Sequence, residues 1–175
     1  NLNYKVFSIF DEKYPSLLKE ISDPPAVIYV FGDETCLKKE ISIAFVGARE
    51  ATPYGINLSK SMAHIAALSG ANVVSGGALG IDSAAHEGAI EAGGSTIAVL
   101  GCGINTNYLI SNSFLRSKIA KSGVLISEYP PDYPAFACNF PKRNRIISGL
   151  SNATVVVEAG KKSGSLITAN LANNQ

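Results

Sequence analysis

The segment NVVSGGALGIDSAAHEGAIEA, residues 72–92, decides the fold. It opens on a short apolar run from Asn72 to Ser75 and breaks at Gly76-Gly77. It resumes from about Ile81 to Ala92 as a helix, stopped by Gly93-Gly94. The next strand, Thr96 to Leu100, ends in Gly101, so strand, glycine turn and helix alternate. Working back, Ile43 to Val46 reads as a strand ending in Gly47. Thr52 then caps a helix with Pro53 at its first position. Leu58, Met62, Ile65 and Ala66 recur at helical spacing, which predicts that they form its buried face, and Gly70 stops it. Further back, Val27 to Phe31 is an apolar strand closed by Gly32-Asp33, after a polar and aromatic approach segment over residues 1–25 that ends in Asp23-Pro24-Pro25.

Downstream, Ser111 to Lys121 reads as a helix and Val124 to Ser127 as a strand. Pro141 to Leu150 reads as a short helix, Thr154 to Val157 as a strand ending at Glu158, and Ser163 to Asn173 as the last helix. Strands built from near-continuous β-branched residues and alternating with helices imply a parallel sheet covered on both faces. The expected class is α/β: an extended Rossmann-like, doubly wound, mostly parallel sheet with helices on both faces. Its ligand site lies at the carboxyl ends of the strands. The expected organisation is residues 1–32 as an N-terminal approach segment packing on a Rossmann-like domain over residues 33–175.

Composition narrows the function. The chain of 175 residues is 46% hydrophobic and 17% charged, which is globular rather than disordered. No apolar run approaches the ~20 residues of a membrane span, and no basic-then-apolar leader opens the chain. The three cysteines, Cys36, Cys102 and Cys138, lack the spacing of a zinc site or a disulfide scaffold. They read as small core residues of a protein in the reducing cytoplasm, and no metal or cofactor is expected. The net charge is only +1, so nucleic-acid binding has to come from a local cluster of cations.

That cluster is Lys142, Arg143 and Arg145, three cations within four residues at the expected helix start. Cations there oppose the helix dipole, which points to an anion facing them. Arg49, just past one strand, and Lys161 and Lys162, past the last, fall on the same edge of the sheet. The small residues that end the strands, Gly47-Ala48, Ser75-Gly76-Gly77 and Ser163-Gly164-Ser165, are candidates for a pocket whose backbone N–H groups face phosphate. Any one such turn has a plainer explanation in chain geometry; together they favour phosphate. Phe136 and Phe140 beside the cations either stack on bases or anchor the core. Asp82 and His86, four apart, are either a relay or a structural pair. Glu158 is either a ribose-binding carboxylate, a general base, or a partner for Lys161 or Arg143. Neither the GxGxxG nor the GxxxxGK[ST] phosphate loop occurs in its proper context, which argues against ordinary NAD or ATP binding.

At these residues the chain resembles the DprA/Smf family of DNA-processing proteins. The segments carrying the resemblance include Val74 to Asp82 (VSGGALGID), Phe140 to Ser151 (FPKRNRIISGLS), Val46-Gly47-Ala48-Arg49, and Ser163 to Ala169. The resemblance implies a Rossmann-like domain that binds single-stranded DNA through a basic pocket, protects incoming DNA in natural transformation and passes it to RecA recombinase. It also implies a homodimer and no catalytic activity. Under it, Arg49, Lys142, Arg143 and Arg145 are the DNA-contacting cations, and Gly47, Gly76 and Gly77 shape the pocket floor. The chain departs from the family at Leu109, where proline usually follows Tyr108. It is also expected to stop short of the family's C-terminal part, which bears on dimerisation and RecA contact. The alternative is a nucleotide hydrolase like the Lonely-guy phosphoribohydrolases, with Glu158 or Asp82 as its carboxylate.

Overall fold

The computed structural model describes residues 4–108, 110–160 and 163–175. Among them, seven strands form one sheet: β1 (Lys5–Ser8), β2 (Val27–Gly32), β3 (Ser42–Gly47), β4 (Asn72–Ser75), β5 (Thr96–Leu100), β6 (Val124–Ser127) and β7 (Ala153–Glu158). The α-helices are α1 (Ser16–Lys19), α2 (Pro53–Leu68), α3 (Ile81–Glu91), α4 (Ser113–Ser122), α5 (Asn139–Gly149) and α6 (Gly164–Asn174). The strand order is β1-β2-β6-β5-β4-β3-β7. Strands β3 to β7 run parallel, while β2 pairs antiparallel with β6 and β1 antiparallel with β2. The doubly wound, mostly parallel sheet read from the sequence is therefore the observed fold. The N-terminal residues add two antiparallel strands to that same sheet, and β1 and α1 were not read from the sequence.

Side chains alternate between the two faces, as the pleat requires. Val74, Ile97, Val99, Val124 and Ile126 point to a core shared with Ile146 and Ile147 of α5 and Leu18 of α1. Their neighbours point the other way: Phe45 and Val73 meet α2 and α3, and Ala98, Leu100 and Leu125 meet α4. Helices thus cover both faces.

The start of α2 is as read: the Thr52 hydroxyl accepts from the Gly55 N–H at 3.1 Å and Pro53 takes the first helical position. Its buried face is not as expected. Gly55, Ser59, Ala63 and Ala67 face inward, whereas Met62 and Ile65 are exposed, Ile65 at 63%. The cause is the closeness of α3: a Cβ on Gly88 would come within 2.2 Å of the Lys60 carbonyl oxygen. Only a stripe of small side chains fits between backbones so near each other.

The chain steps from β3 through β4 and β5 to β6 in one direction, then returns to lay β7 on the far side of β3. The strand order reverses between β3 and β7. Such a reversal leaves a crevice outside the carboxyl ends of the two strands, because the loops that follow them part in opposite directions.

Candidate functional site

A cleft of about 580 Å³ occupies that crevice, a size usual for a binding site. From the end of β3 and the turn after it come Val46, Gly47, Ala48 and Arg49; from the start of α6, Ser163, Gly164 and Ser165; from α5, Phe140, Arg143 and Asn144. A smaller recess beside it is lined by Gly76, Gly77, Arg49, Tyr108, Phe140 and Arg143. Of the expected pocket residues, Gly47, Ala48, Gly76, Gly77, Ser163, Gly164 and Ser165 thus come together around one crevice. Ser75 lies beneath it, buried, its hydroxyl donating to the Phe45 carbonyl at 2.6 Å. Lys161 and Lys162 lie outside the described residues.

The floor is held by close contacts that tolerate no side chain. Gly80 has φ +76° and its Cα faces the carbonyls of Ala48 and Arg49, which a Cβ would meet at 2.3 and 2.4 Å. This approach clamps the turn after β3 onto the start of α3, where the Ile81 N–H donates to the Ala48 carbonyl at 3.2 Å. At Gly76 a Cβ would lie 2.7 Å from both an Arg143 guanidinium nitrogen and an Asp82 carboxylate oxygen. Gly76 of the SGG turn therefore makes room for two buried ionisable side chains.

The three cations on α5 do not form one patch. One turn of helix takes 3.6 residues, so positions 142, 143 and 145 point in different directions. Lys142 is exposed and lines neither hollow. Arg143 is 4% exposed, and its guanidinium donates to the Gly76 carbonyl at 2.7 Å, to the Val99 carbonyl and to the Asn144 side-chain oxygen. It ties the ends of β4 and β5 to α5 from beneath the cleft. Arg145 turns away, donating to both Glu128 carboxylate oxygens at 2.7 and 2.9 Å and pairing with Asp23 at 2.9 Å. The hydrogen-bonded Glu128 carboxylate holds the Arg145 guanidinium above its usual value. Both guanidiniums are thus engaged within the protein, which accounts for cations near a helix start without an external anion.

Arg49 is different. It is exposed at the mouth of the cleft, with its guanidinium carbon 5.8 Å from the centre of the Phe140 ring. Across the cleft, α6 begins at Gly164, and Asn144 donates to the Gly164 carbonyl at 3.2 Å, fixing that helix start against α5. The mouth therefore joins an exposed guanidinium fork, without an ion pair among the described residues, with the positive end of an 11-residue helix. Phe140 anchors the core side: it packs on Gly101, on Tyr108 with ring centres 4.8 Å apart, and under Arg143 at 5.8 Å.

The remaining titratable candidates are structural. Glu158 accepts from the Thr52 N–H at 3.0 Å and hydroxyl at 2.9 Å, holding the start of α2, a role its place at a strand end did not reveal. Asp82 accepts from the Ala78 N–H at 3.3 Å. Burial pushes its carboxyl up, against the pull of the Arg143 charge. His86 bonds not to Asp82 but to Thr96, Nδ1 to Oγ1 at 2.7 Å. The Thr96 hydroxyl already donates to the Val73 carbonyl at 2.8 Å, so Nδ1 carries the imidazole proton. Burial, then the Arg143 charge, brings His86 down to about 3, which keeps it neutral. Among the described residues no His, Cys, Asp or Glu cluster is suited to a metal ion, and no helix is long and apolar enough to cross a membrane.

Residues 5–175 match the family described as DNA recombination-mediator protein A. The chain is 43% identical to the DNA processing protein DprA of Bacillus subtilis over 167 residues, 95% of this chain and 56% of that protein. Its fold matches DNA processing protein A from Streptococcus pneumoniae with a TM-score of 0.92 at 38% identity, covering 98% of this chain and 60% of the other. It matches DNA processing protein A from Helicobacter pylori, a structure that describes that protein's single-stranded DNA binding mode, with a TM-score of 0.89 at 32% identity. That match covers 99% of this chain and 78% of the other. The chain spans about half the length of the curated relatives it matches.

Proposed function

The chain belongs to the DNA recombination-mediator protein A family, and we propose that its crevice binds single-stranded DNA, mainly through phosphate. The observation that carries this reading is the meeting of exposed Arg49 with the start of α6 over a glycine-lined floor, at the one place where the strand order reverses. A guanidinium fork and the positive end of a helix attract phosphate oxygens without regard to base. The single-stranded DNA binding of the H. pylori relative supports it. Arg49 is the principal cation in this reading, with Lys142 on the approach; Lys161 and Lys162 are proposed beside the last helix. Arg143 and Arg145 act by shaping the protein around the strand.

In the whole protein, the proposed role is to protect incoming DNA in the cytoplasm and hand it to RecA, as a homodimer and without chemistry on the DNA. A nucleotide hydrolase has less support. Glu158 is occupied by Thr52, and Asp82 lies buried under the SGG turn.

The test is fluorescence anisotropy of a labelled oligo-dT at two salt concentrations, with duplex of equal length as control. Salt-sensitive binding that prefers the single strand is expected. Arg49→Ala should weaken it for all sequences and reduce the salt slope by about 0.7 for each phosphate that the variant no longer neutralises. Wild-type affinity and slope in that variant would remove Arg49 from the interface.

A further inference from the structure

The loop between β6 and α5 carries aromatics that the phosphate-binding reading leaves unused. Tyr129 and Tyr133 stack with ring centres 5.0 Å apart at 14°, and Phe136 meets Tyr133 edge-on at 5.7 Å. Tyr133 is 36% exposed and Phe136 48%. Both immediate neighbours of Phe136, Ala135 and Ala137, line the cleft. The ladder therefore stands on the wall of the proposed phosphate site.

The loop is tied to its neighbours by bonds that do not involve these rings. Pro130, Pro131 and Pro134 restrict the backbone. The Tyr133 carbonyl accepts from the Gly103 N–H and the Thr106 hydroxyl, both at 2.8 Å, and the Pro131 carbonyl accepts from the Asn105 N–H at 2.8 Å. The Asn139 N–H donates to the Phe136 carbonyl at 3.0 Å, fixing the loop's end where α5 begins. Backbone bonds thus hold the loop, while the Phe136 ring meets one aromatic edge-on and leaves half its area in water. Exposed apolar rings fixed in place at the rim of a positively charged cleft are what a stacking platform needs: the ordering cost of the rings is met on folding, and every base has a π-face to offer.

We propose that Tyr133 and Phe136 form a base-stacking subsite that continues the single-strand path out of the crevice, so that phosphate is held inside the wall and a base lies against its outer rim. This rests on the DNA-binding reading and adds to it the part of the ligand that duplex DNA cannot present, an unstacked base. Such a subsite gives the preference for single strands that phosphate binding alone does not.

The test compares oligo-dT with an abasic deoxyribose-phosphate oligomer of the same length and charge. Wild-type protein should prefer oligo-dT by between about fivefold and about 150-fold for each base stacked. Phe136→Leu with Tyr133→Leu should lose that preference and keep the salt slope, since the cations are untouched. Independently, Phe136→Trp places an indole in a chain that has no tryptophan. Its fluorescence should be quenched by oligo-dT and not by the abasic oligomer. Salt-sensitive binding with equal affinity for the two oligomers, a preference that survives the double substitution, or an indole that responds alike to both would each overturn the stacking subsite while leaving phosphate binding in place. Failure of the wild-type protein to bind either oligomer would overturn the DNA-binding reading, and this proposal with it.

Discussion

Arg143 and Arg145 sit two positions apart on α5, yet one holds the floor of the crevice and the other braces the loop wall from behind. In one dimension they look like a single basic cluster. The helix sets them just over half a turn apart, on opposite sides, and what each meets depends on elements far away in the chain, such as Asp23. Arg49 kept its expected place because a strand end fixes direction: whatever follows β3 must emerge at the carboxyl edge of the sheet. At the residue scale the sharpest prediction concerns Arg143. Arg143→Met leaves the buried Asp82 without its compensating charge and the Gly76 and Val99 carbonyls without a donor. Each buried polar partner left unsatisfied costs about 1–3 kcal/mol. Urea unfolding should therefore show a large drop in midpoint, and adding Asp82→Asn should restore part of it. A single variant as stable as wild type would mean that the guanidinium does not hold the floor.

Among the elements, α2 teaches the most. Its start was legible, because Thr52-Pro53 is a local signal and local chemistry answers it. Its buried face was not, because periodicity was sought among large apolar residues while α3 comes too near to admit them. The inward stripe of Gly55, Ser59, Ala63 and Ala67 is only weakly apolar, so hydrophobic spacing alone pointed to the wrong side. Ala63→Leu should then overpack the α2–α3 interface and cost about 1–3 kcal/mol, whereas Ile65→Ala, on the exposed side, should change stability by no more than about 0.5 kcal/mol. Thermal or urea melts of the two variants decide the matter; the reverse order of effects would contradict the packing. The short β1 escaped for another reason: four residues in a polar, aromatic stretch carry too little pattern to stand out, and their strand character comes from pairing with β2.

For the whole molecule, the alternation of strands and glycine turns made the fold class and the edge that carries the site readable. The reversal between β3 and β7 was not, since it depends on which strand pairs with which. The global stability also has an acid sensitivity set in the core. His86 is neutral in the folded state, with its pKa lowered from 6.5 to about 3. The unfolded chain binds a proton that the folded chain refuses, so stability is full above pH 6.5 and is lost as pH falls toward 3. Between pH 7 and pH 5 this amounts to about 2 kcal/mol. Urea unfolding at the two pH values should show the loss in wild type and a much smaller one in His86→Gln. Equal stability of wild type at both, or an undiminished loss in the variant, would shift the cause to another group.

The antiparallel pairing of β2 with β6 has a consequence for the newborn chain. Residues 27–32 leave the ribosome long before residues 124–127 exist to pair with them. At ~5–20 residues per second the N-terminal hairpin waits several seconds for its partner. Through that interval Ile28 and Val30, buried in the finished fold, have Phe7, Leu18 and Ile21 beside them but lack the cover that Ile126, Ile146 and Ile147 bring later. The crevice comes later still, because β7 must emerge and cross back over the sheet to lie beside β3. Until residues 153–175 have emerged, the crevice lacks the wall supplied by Ser163, Gly164 and Ser165.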